Sequence, residues 1–448
     1  MRLAERSPLD ALAQFADLPD VSLLASTSDD HPLSRFSFLA ADPVARVIAT
    51  AGEWPAARDR VRATLDRAAP RIPGLPPYQG GWIGWLGYEL GTAFTRHARH
   101  TNEAHPVADI ALALHDWVIA WDHREGATWL ISTGIDDTGE RDEARARARA
   151  AEVVARWERA GTIPAAHDGA PDTHAVSDFT EREYRNAVDR VIEYVLAGDI
   201  FQANLAQRFS TPFSGDPLSL FRRLTVRAPA PMSAYLSRGG VVVASASPER
   251  FIQVDAASGA VETRPIKGTR RRDADPRRDA GLAAELAASI KDRAENVMIV
   301  DLMRNDLSRV CVPGSVKVPS LCALESHRTV HHLVSTVTGT LRADHDALDL
   351  IAATFPGGSI TGAPKLRAME IIAELEPVAR GVYSGAIGWI GLDGSIDMNI
   401  AIRTVTVAGG AATFHAGGGI TALSVAEDEY QESLDKARAL AAALANSA

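Results

Sequence analysis

The sequence predicts an α+β fold built mostly from antiparallel sheets. In the C-terminal half, segments with helical periodicity, such as Glu181–Ala197, alternate with short strand-like runs, such as Val241–Ser245. The dipeptides Asp393-Gly394 and Gly409-Gly410 join consecutive strand-like runs and are typical of tight hairpin turns. Because hairpins pair strands in opposite directions, we expect antiparallel sheets with helices packed on the outside.

The individual elements follow the same two periodicities. Helices are predicted at Glu140–Ala160, Glu181–Ala197, Pro276–Ser308, Ala363–Glu374 and Glu427–Ala443. Strands are predicted at Ala111–Trp121, Thr128–Thr133, Val241–Ser245, Arg250–Val254, Val330–Gly339, Ser384–Gly391, Met398–Val407 and Ala411–Ala416. The segment Gln79–Leu90 mixes glycines with aromatic residues, as a tightly packed strand and turn would.

A compositional break divides the chain into two predicted domains. Residues 161–177 are rich in Ala, Gly, Pro and Asp and follow a charged helical stretch. We therefore predict an N-terminal domain over residues 1–165 and a C-terminal domain over residues 175–448. A chain of 448 residues is too long for one ordinary core and favours either two domains or one large composite domain. The candidate functional residues all lie in the C-terminal part.

Composition excludes several classes of protein. The formal charge is −10 and no long Lys/Arg run occurs, whereas nucleic-acid binding needs clustered cations. The first residues lack the apolar core of a signal peptide, and no eighteen apolar residues run unbroken. We therefore predict a cytoplasmic protein with no nucleic-acid or membrane partner. The two cysteines, Cys311 and Cys322, are too few for a metal cluster or a disulfide framework.

Two pairs of carboxylates are each spaced to share one helical face. Asp292 and Glu295 lie three residues apart in one predicted helix, and Glu429 and Glu432 lie three apart in the last one. Two such faces could close on one Mg²⁺ ion, which prefers oxygen ligands. The alternative is that each pair lies on a solvent-exposed helix face, and for either pair taken alone this alternative is favoured. Lys436 shares the second face and could pair with Glu432 or meet an anion.

Two glycine-rich segments have the composition of anion-binding loops. Residues 356–365 end where a helix is predicted to begin, and the second segment contains Gly417, Gly418 and Gly419. Glycines let backbone N–H groups approach an oxyanion, and a helix start adds a favourable dipole. Neither segment has the spacing of a Walker or dinucleotide-binding motif, and a tight turn is the alternative for each.

A histidine and an arginine stand out in strand-like surroundings. Alternation sends His331 and His332 to opposite faces, so one of them could enter a site, although structural histidines are more common. Arg403 lies among apolar strand residues, where a guanidinium group is costly to bury unless a carboxylate meets it. A structural ion pair and contact with an anionic substrate both remain open for Arg403.

Lys267 lies between a proline, which makes the backbone stiff, and a glycine, which makes it permissive. The segment is Thr263-Arg264-Pro265-Ile266-Lys267-Gly268-Thr269. Neighbouring arginines would lower the pKa of the lysine and free its amine as a nucleophile or base. The alternative is that Lys267 is an ordinary charged lysine in a surface loop, and composition alone favours this alternative. Glu249 precedes Lys267 by one predicted hairpin, so the two side chains could face one pocket as acid and nucleophile.

Taken together, these motifs resemble the chorismate-utilising enzymes, which include anthranilate synthase component I, aminodeoxychorismate synthase component I, isochorismate synthases and salicylate synthases. The resemblance runs from about Phe179 to the C-terminus. Its matching stretches are residues 197–209, 247–251, 264–269, 292–296, 301–307, 332–336, 356–365, 417–420 and 429–432. Residues 23–26, 36–39 and 80–91 carry a weaker match. The resemblance implies an anthranilate synthase component I-like fold, in which mostly antiparallel sheets form a sandwich flanked by helices.

The resemblance gives the candidate residues specific roles. It implies that Lys267 adds to C2 of chorismate while Glu249 protonates the departing C4 hydroxyl, after which ammonia adds at C4 and expels the lysine. It implies Mg²⁺ as the cofactor, held by Glu295 and Glu432, with Asp292 and Glu429 behind them through water. The positions that it assigns to the substrate pocket are Gln202, Asn204, Thr269, His332, Thr361, Arg403, Gly417, Gly418, Gly419 and Lys436.

Position 267 separates reactions within the family. A lysine after Arg-Pro-Ile is typical of aminodeoxychorismate synthases, whereas anthranilate synthases usually carry alanine. The resemblance therefore implies amination of chorismate at C4 for 4-aminobenzoate and folate biosynthesis. Isochorismate and salicylate synthases typically carry lysine where Gln202 stands, and the tryptophan-inhibition signature normally has an acidic residue where Ala25 stands. Anthranilate synthase component I and a non-catalytic scaffold subunit are the alternatives.

The resemblance also implies a partner protein. Neither cysteine lies in a glycine-flanked nucleophile turn that a matching His and Glu pair follows, as a glutaminase would require. We therefore expect a separate glutamine amidotransferase subunit to supply ammonia. Because the sequence contains no lyase segment, we expect 4-amino-4-deoxychorismate rather than 4-aminobenzoate as the product.

Overall fold

A computed structural model describes residues 1–28, 31–65, 71–95, 107–159, 175–328 and 330–445. Most of the linker predicted at residues 161–177 lies outside these described residues. The paired strands of the described residues are all antiparallel, as the hairpin turns predict. The α+β fold class is confirmed.

The elements run as follows from the N-terminus. The described residues before the predicted linker form β1 (Arg2–Leu3), α1 (Pro8–Phe15), β2 (Ser22–Ala25), β3 (Phe36–Ala40), β4 (Ala45–Ala49), α2 (Trp54–Leu65), β5 (Gly81–Leu86), β6 (Ile110–His115), β7 (Trp117–Asp122), β8 (Ala127–Ser132) and α3 (Glu143–Glu158). Short 3₁₀ helices lie at Ala51–Glu53 and Tyr88–Ala93.

The next stretch forms β9 (Val176–Ser177), α4 (Glu181–Leu196), β10 (Gln202–Pro212), α5 (Pro217–Arg227), β11 (Met232–Arg238), β12 (Val241–Ser247), β13 (Arg250–Asp255), β14 (Ala260–Thr263), β15 (Ile266–Arg271), α6 (Pro276–Ala288), α7 (Ile290–Ser308), β16 (Lys317–Ser326) and β17 (Val330–Thr340). The last forms α8 (Ala347–Thr354), a 3₁₀ helix (Gly358–Ile360), β18 (Gly362–Ala363), α9 (Lys365–Leu375), β19 (Ala386–Gly391), β20 (Ile396–Ile400), β21 (Thr404–Ala408), β22 (Ala411–Ile420) and α10 (Ala426–Leu444).

These strands form two large sheets. The 12-stranded sheet has the order β1-β8-β7-β3-β2-β11-β12-β21-β22-β10-β18, with β9 also paired to β10. The 10-stranded sheet has the order β15-β17-β14-β13-β20-β19-β5-β6-β4, with β16 also paired to β17. Strands from the two sides of the predicted linker pair in both sheets, β2 with β11 and β5 with β19. The two halves of the chain therefore share both sheets.

An apolar layer lies between the two sheets. Phe38 of β3 and Leu236 of β11, from the larger sheet, pack in one cluster with Ile83 of β5 and Trp389 of β19, from the smaller sheet. Burial of such side chains contributes roughly 25 cal/mol per Å² of apolar surface removed from water. This layer makes the fold the sandwich that the family resemblance implies.

Helices cover the outer faces of the sandwich. Residues of α1, α3, α5 and α10 pack on the 12-stranded sheet, as do residues of α4 and α9 around β10, and residues of α2, α7 and α8 pack on the 10-stranded sheet. None of the helices in the described ranges is both long and apolar enough to cross a membrane.

Three predicted elements are interrupted in the structure. The helix predicted at Pro276–Ser308 is divided at Ser289, whose Oγ accepts a 3.2 Å hydrogen bond from the Asp292 amide and so caps α7. The strand predicted at Met398–Val407 divides into β20 and β21, and the strand predicted at Ala111–Trp121 divides into β6 and β7. In both cases the chain leaves the 10-stranded sheet and enters the 12-stranded sheet. The apolar sequence pattern continues across this change, so the sequence alone predicts one long strand.

Candidate active site

Lys267 and Glu249 reach the same turn from different strands. Lys267 lies on β15, and its Nζ donates a 2.9 Å hydrogen bond to the carbonyl oxygen of Ser359. Glu249 lies in the short connection between β12 and β13. Its Oε1 accepts a 3.5 Å hydrogen bond from the Ile266 amide, and the Ser359 side chain also hydrogen-bonds to this carboxyl group. The structure thus brings together the acid and the nucleophile that the sequence predicts.

A bulge in β15 sets the position of Lys267. The pairing of β15 with β17 shifts register between Lys267 and Thr269, and Gly268 between them has a φ of +76°. A Cβ on Gly268 would lie 2.8 Å from the Leu286 side chain and 2.9 Å from Cβ of Asp292. Glycine is therefore required here both for its backbone conformation and for the close packing of α6 and α7.

Burial shifts the pKa of both groups toward acid–base chemistry near neutral pH. Burial raises the pKa of Glu249 to about 7, although its hydrogen bond with Ser359 and the charge of Lys267 act in the opposite direction. Burial lowers the pKa of Lys267, opposed by the charges of Glu295 and Glu249. At neutral pH Glu249 retains a substantial protonated fraction, which a general acid needs, and Lys267 has more free amine than an exposed lysine.

The arginines next to Lys267 do not cause its lowered pKa. They are paired with carboxylates instead, and the dominant cause is burial of the ammonium group. The prediction of a lowered pKa was right in direction and wrong in cause, because sequence does not reveal that the neighbouring charges are neutralised. The ion pairs are Arg264–Glu325, Arg270–Glu285 and Arg272–Asp279.

The turn that carries Ser359 is held from several sides. It contains the 3₁₀ helix Gly358–Ile360, and the Thr361 hydroxyl donates a 2.9 Å hydrogen bond to the Gly357 carbonyl. The Thr361 carbonyl accepts a 2.8 Å hydrogen bond from the Asn204 amide of β10. Residues 356–365 therefore form a tight turn before α9, which was the alternative to an anion loop, and the Thr361 hydroxyl is engaged within that turn.

Carboxylates from α7 and α10 meet at the glycines of β22. A Cβ on Gly419 would lie 3.2 Å from Oε2 of Glu295, and a Cβ on Gly418 would lie 3.2 Å from Oε2 of Glu429 and 3.6 Å from Oε1 of Glu432. A larger residue at either position would crowd the carboxylates next to it. The glycines thus leave room for ligands beside three carboxylates.

Gly417, Gly418 and Gly419 lie in a strand rather than in the turn or anion loop that their composition suggests. They pair with residues 204–206 of β10, where Gly419 is opposite Asn204. The prediction of a loop was wrong. The three glycines do not form a turn; they allow neighbouring groups to pack closely against the strand. Their expected place at the site is nevertheless supported by the carboxylates around them.

Two lysines accompany these carboxylates. Lys436 Nζ lies 2.6 Å from Oε1 of Glu432 and donates a 2.8 Å hydrogen bond to the Gly417 carbonyl. Lys291 Nζ lies 2.8 Å from Oε1 of Glu429. The charge of Lys436 lowers the pKa of Glu432, whereas burial raises the pKa of Glu295. The sequence predicts the Lys436 contact with Glu432 from their spacing, but the role of Lys291 was missed.

The carboxylates are of the donor type that a hard divalent cation takes, although the oxygens of Glu295, Glu429 and Glu432 do not all lie within 4.8 Å of one another. Glu295, Glu429 and Glu432 present carboxylate oxygens to two adjacent residues of one strand, and Mg²⁺ takes such oxygens together with water. Asp292 is turned toward β15, where it lies 3.5 Å from Arg270 and against Gly268. Of the two predicted acidic pairs, Glu295, Glu429 and Glu432 lie against the glycines of β22, and Asp292 lies against the bulge at Gly268, next to Lys267.

His332 and Arg403 form a polar corner of the site. His332 is buried, and its Nδ1 lies 2.9 Å from the Thr269 hydroxyl. Burial and the charge of Arg403 lower the pKa of His332 to about 3, so the imidazole is neutral. Burial lowers the pKa of Arg403, and within the described ranges no carboxylate pairs with its guanidinium group. This arrangement favours contact of Arg403 with an anionic ligand over a structural ion pair.

Arg403 is not part of a continuous strand. It has a φ of +50° and lies in the break where the chain leaves β20 for β21. Its prediction as a strand residue was wrong because the apolar residues on either side belong to two different sheets. A left-handed conformation is uncommon for a non-glycine residue, and strained positions of this kind occur often at functional sites.

Two buried amides border the glycines of β22. Gln202 and Asn204 are buried on β10, and Gln202 packs against Gly419. Within the described part of the chain, neither amide atom of Gln202 has a hydrogen-bond partner, nor does Nδ2 of Asn204. Because buried polar atoms are normally satisfied, these groups are suited to meet a ligand or water.

A buried ion pair behind the site was not predicted from the sequence. Arg380 pairs with Glu376 at 2.6 Å, and both side chains are almost fully buried. The guanidinium group also donates hydrogen bonds to the Ile360 carbonyl at 2.9 Å and to the Asn204 carbonyl at 2.5 Å. Arg380 thereby ties the Ser359 turn to β10. The four-residue spacing of Glu376 and Arg380 was the available signal.

Comparison with known proteins identifies the family. A model of the chorismate binding enzyme family matches residues 21–442. The chain belongs to the chorismate binding enzyme family. It is 41% identical over 438 residues to aminodeoxychorismate synthase component 1 of Escherichia coli (strain K12), covering 95% of this chain and 93% of that protein. It is 39% identical over 454 residues to anthranilate synthase component 1 of Streptomyces coelicolor, covering 98% and 86%.

A solved structure shows the same fold. Anthranilate synthase component I from Streptococcus pneumoniae matches with a TM-score of 0.80 at 29% identity, covering 92% of this chain and 93% of that one. The chorismate binding enzyme family and its fold, which the sequence motifs predict, are thus both confirmed.

Proposed function

We propose that the chain is component 1 of an aminodeoxychorismate synthase and converts chorismate and ammonia into 4-amino-4-deoxychorismate. The observation that carries this proposal is the placement of Lys267, with its lowered pKa, beside Glu249 and the Ser359 turn. The similarity to aminodeoxychorismate synthase component 1 of Escherichia coli over nearly the whole chain supports it.

In the proposed reaction Lys267 is a covalent nucleophile. Its free amine forms a bond to C2 of chorismate, both conjugated ring double bonds shift by one position, and the C4–oxygen bond breaks while Glu249 donates its proton to the departing hydroxyl, which leaves as water. Ammonia then forms a bond to C4, both double bonds shift back and the C2–nitrogen bond breaks. The proton released from the new ammonium group returns to Glu249. Nitrogen is thus installed at C4 and the enolpyruvyl ether at C3 is retained; with glutamine as the nitrogen donor, we assign the reaction to the transaminase class.

The surrounding residues hold the substrate. Arg403 and Lys436 offer positive charge to the carboxylates of chorismate, and Gln202, Asn204 and His332 offer neutral polar groups. Glu295 and Glu432 would hold Mg²⁺, with Glu429 beside them, whereas Asp292 lies against Gly268 and Arg270 outside this set. When bound, the ion would neutralise and orient a substrate carboxylate.

The proposal includes a partner and a pathway. A separate glutamine amidotransferase subunit supplies ammonia, consistent with the designation of the similar proteins as component 1. The product leads to 4-aminobenzoate and folate after a further enzyme has acted. A cytoplasmic location is part of the same proposal.

Two alternatives are distinguished by the site. Anthranilate synthase component I is the first, because the chain is also similar to such enzymes. Anthranilate formation would leave the nucleophile Lys267 without a role. A non-catalytic scaffold is the second, and it would have no use for a buried Glu249 or for three carboxylates gathered at one strand.

The decisive experiment is product analysis. The purified chain is incubated with chorismate, MgCl₂ and ammonium chloride, and the products are identified by mass and by their response to an added aminodeoxychorismate lyase. We expect a product that the lyase converts to 4-aminobenzoate. Anthranilate and pyruvate would establish the first alternative instead. The absence of any turnover, with ammonium and with an added glutaminase subunit, would support a scaffold.

A further inference from the structure

Lys291 lies at the edge of the carboxylate cluster, in the first turn of α7. Its Nζ is 2.8 Å from Oε1 of Glu429 on α10. The Lys291 side chain is 36% exposed, whereas the Glu429 side chain is 4% exposed. The lysine therefore approaches a buried carboxylate from the solvent side.

The contact balances charge that would otherwise be repulsive. Glu295, Glu429 and Glu432 lie against two adjacent glycines. Negative charges that lie near one another in a partly buried site repel one another. Lys436 neutralises Glu432, and Lys291 neutralises Glu429. Oε1 of Glu429 also accepts a 2.6 Å hydrogen bond from Ser424, while its Oε2 faces Gly418. Glu429 and Glu432 of α10 thus each have their own ammonium group.

We propose that Lys291 is an internal counter-ion that competes with Mg²⁺ for the α10 carboxylates and thereby weakens metal binding in the absence of substrate. This inference rests on the metal site of the proposed function. A divalent ion held by the same carboxylates would be repelled by the ammonium group that pairs with Glu429, and that repulsion is only partly screened at a half-buried site. Lys291 must either remain and repel the ion or move into solvent and lose its ion pair with Glu429.

A competing counter-ion and a merely structural residue predict opposite changes in Mg²⁺ affinity when Lys291 is removed. If Lys291 only held α7 against α10, its removal would loosen the carboxylates and weaken Mg²⁺ binding. If it is a competing counter-ion, its removal leaves the carboxylates with excess negative charge and strengthens Mg²⁺ binding. The exposure of Lys291 makes a neutral side chain acceptable at this position, so folding should be preserved.

The test is calorimetric titration of the full chain with MgCl₂ alone, without chorismate. Lys291→Met should bind Mg²⁺ about tenfold more tightly than the parent protein. Lys291→Arg, which keeps the charge, should bind as the parent does. Lys317→Met is the matched control, because Lys317 is an exposed lysine of β16, and it should have no effect. Added NaCl should narrow the difference between Lys291→Met and the parent.

Equal or weaker binding by Lys291→Met, at an unchanged melting temperature, would overturn the inference. Binding by Lys291→Arg as tight as that by Lys291→Met would also overturn it, since charge would then be irrelevant. Because the titration contains no substrate, its outcome is independent of product analysis. A failure to aminate chorismate with the expected order of Mg²⁺ affinities would contradict the proposed reaction alone.

Discussion

Lys267 Nζ and the carbonyl oxygen of Ser359 are joined by a 2.9 Å hydrogen bond between residues 92 positions apart in the chain. The bond directs the amine into the space that Glu249 also borders. It restrains a side chain that would otherwise have several freely rotating bonds. A nucleophile restrained in this way loses less entropy when it attacks, which supports the covalent role proposed for it.

We expect Lys267→Ala to lose aminodeoxychorismate formation by at least about a thousandfold, because the variant lacks the amine that forms the bond to C2 in the proposed reaction. Incubation of the parent protein with chorismate, without ammonia, should yield an adduct that has the mass of chorismate less water. Peptide mapping should place this adduct on Lys267, and Lys267→Ala should lack it. Lys317→Ala is the matched control. Undiminished turnover by Lys267→Ala would remove this residue from the mechanism.

Glu249→Gln should alter the pH dependence of activity. The pKa of Glu249 is about 7, so the parent protein should lose kcat/KM as pH rises through this value and the general acid becomes deprotonated. Glu249→Gln should have low activity at every pH and no such inflection. The control Glu374→Gln replaces an exposed carboxylate and should keep the parent profile. The same alkaline limb in Glu249→Gln would assign the inflection to another group.

Glu249→Gln should lower activity but raise the free energy of unfolding at alkaline pH. Burial raises the pKa of Glu249 from 4.5 to about 7, so the folded state binds the proton more tightly than the unfolded state. The associated stability is present below the unfolded pKa and is lost as pH rises through the folded pKa. Glu249→Gln should therefore be about 3 kcal/mol more stable than the parent near pH ~8, and close to it near pH ~5. Denaturant unfolding at both pH values measures this difference, and equal stability near pH ~8 would contradict the raised pKa.

Glu295→Gln should raise the Mg²⁺ concentration needed for half-maximal activity by about tenfold or more, because it removes one charged oxygen donor. Direct titration of the same variant with MgCl₂ should show the same loss of affinity. Asp301→Asn is the matched control: it lies on α7, is exposed and pairs with Arg304. An equal shift in both variants would indicate a general effect of helix charge and would refute the assignment of Glu295 to the metal.

How far sequence could predict this site depends on the distance in the chain between its parts. The carboxylate pairs and the Lys436 contact follow from helical spacing, and Glu249 and Lys267 are separated by a single hairpin. Ser359 could not be predicted as a partner of Lys267, because that contact depends on how strands of two sheets are arranged. Arg403 was misplaced for a related reason, since a strand that changes sheet keeps an uninterrupted apolar pattern.

The Arg380–Glu376 pair is expected to be more important for the geometry of the site than for net stability. Both side chains are almost fully buried, so the attraction between them must offset the cost of removing two charges from water. Removing Arg380 leaves the buried Glu376 carboxylate without its guanidinium partner, although the Ala206 amide still donates a 2.9 Å hydrogen bond to it. Arg380→Met should therefore destabilise the protein by about 3–5 kcal/mol, whereas the double variant Arg380→Met/Glu376→Met should recover much of that loss.

Activity should not recover in parallel with stability. The double variant still lacks the hydrogen bonds that Arg380 donates to the Ile360 and Asn204 carbonyls, so the turn that directs Lys267 is less restrained. We expect a lower kcat in the double variant, measured at saturating chorismate and Mg²⁺, even where denaturant unfolding shows it to be fully folded. Parent-like kcat in a folded double variant would show that the Ser359 turn keeps its position without Arg380, and would limit this buried pair to a role in stability.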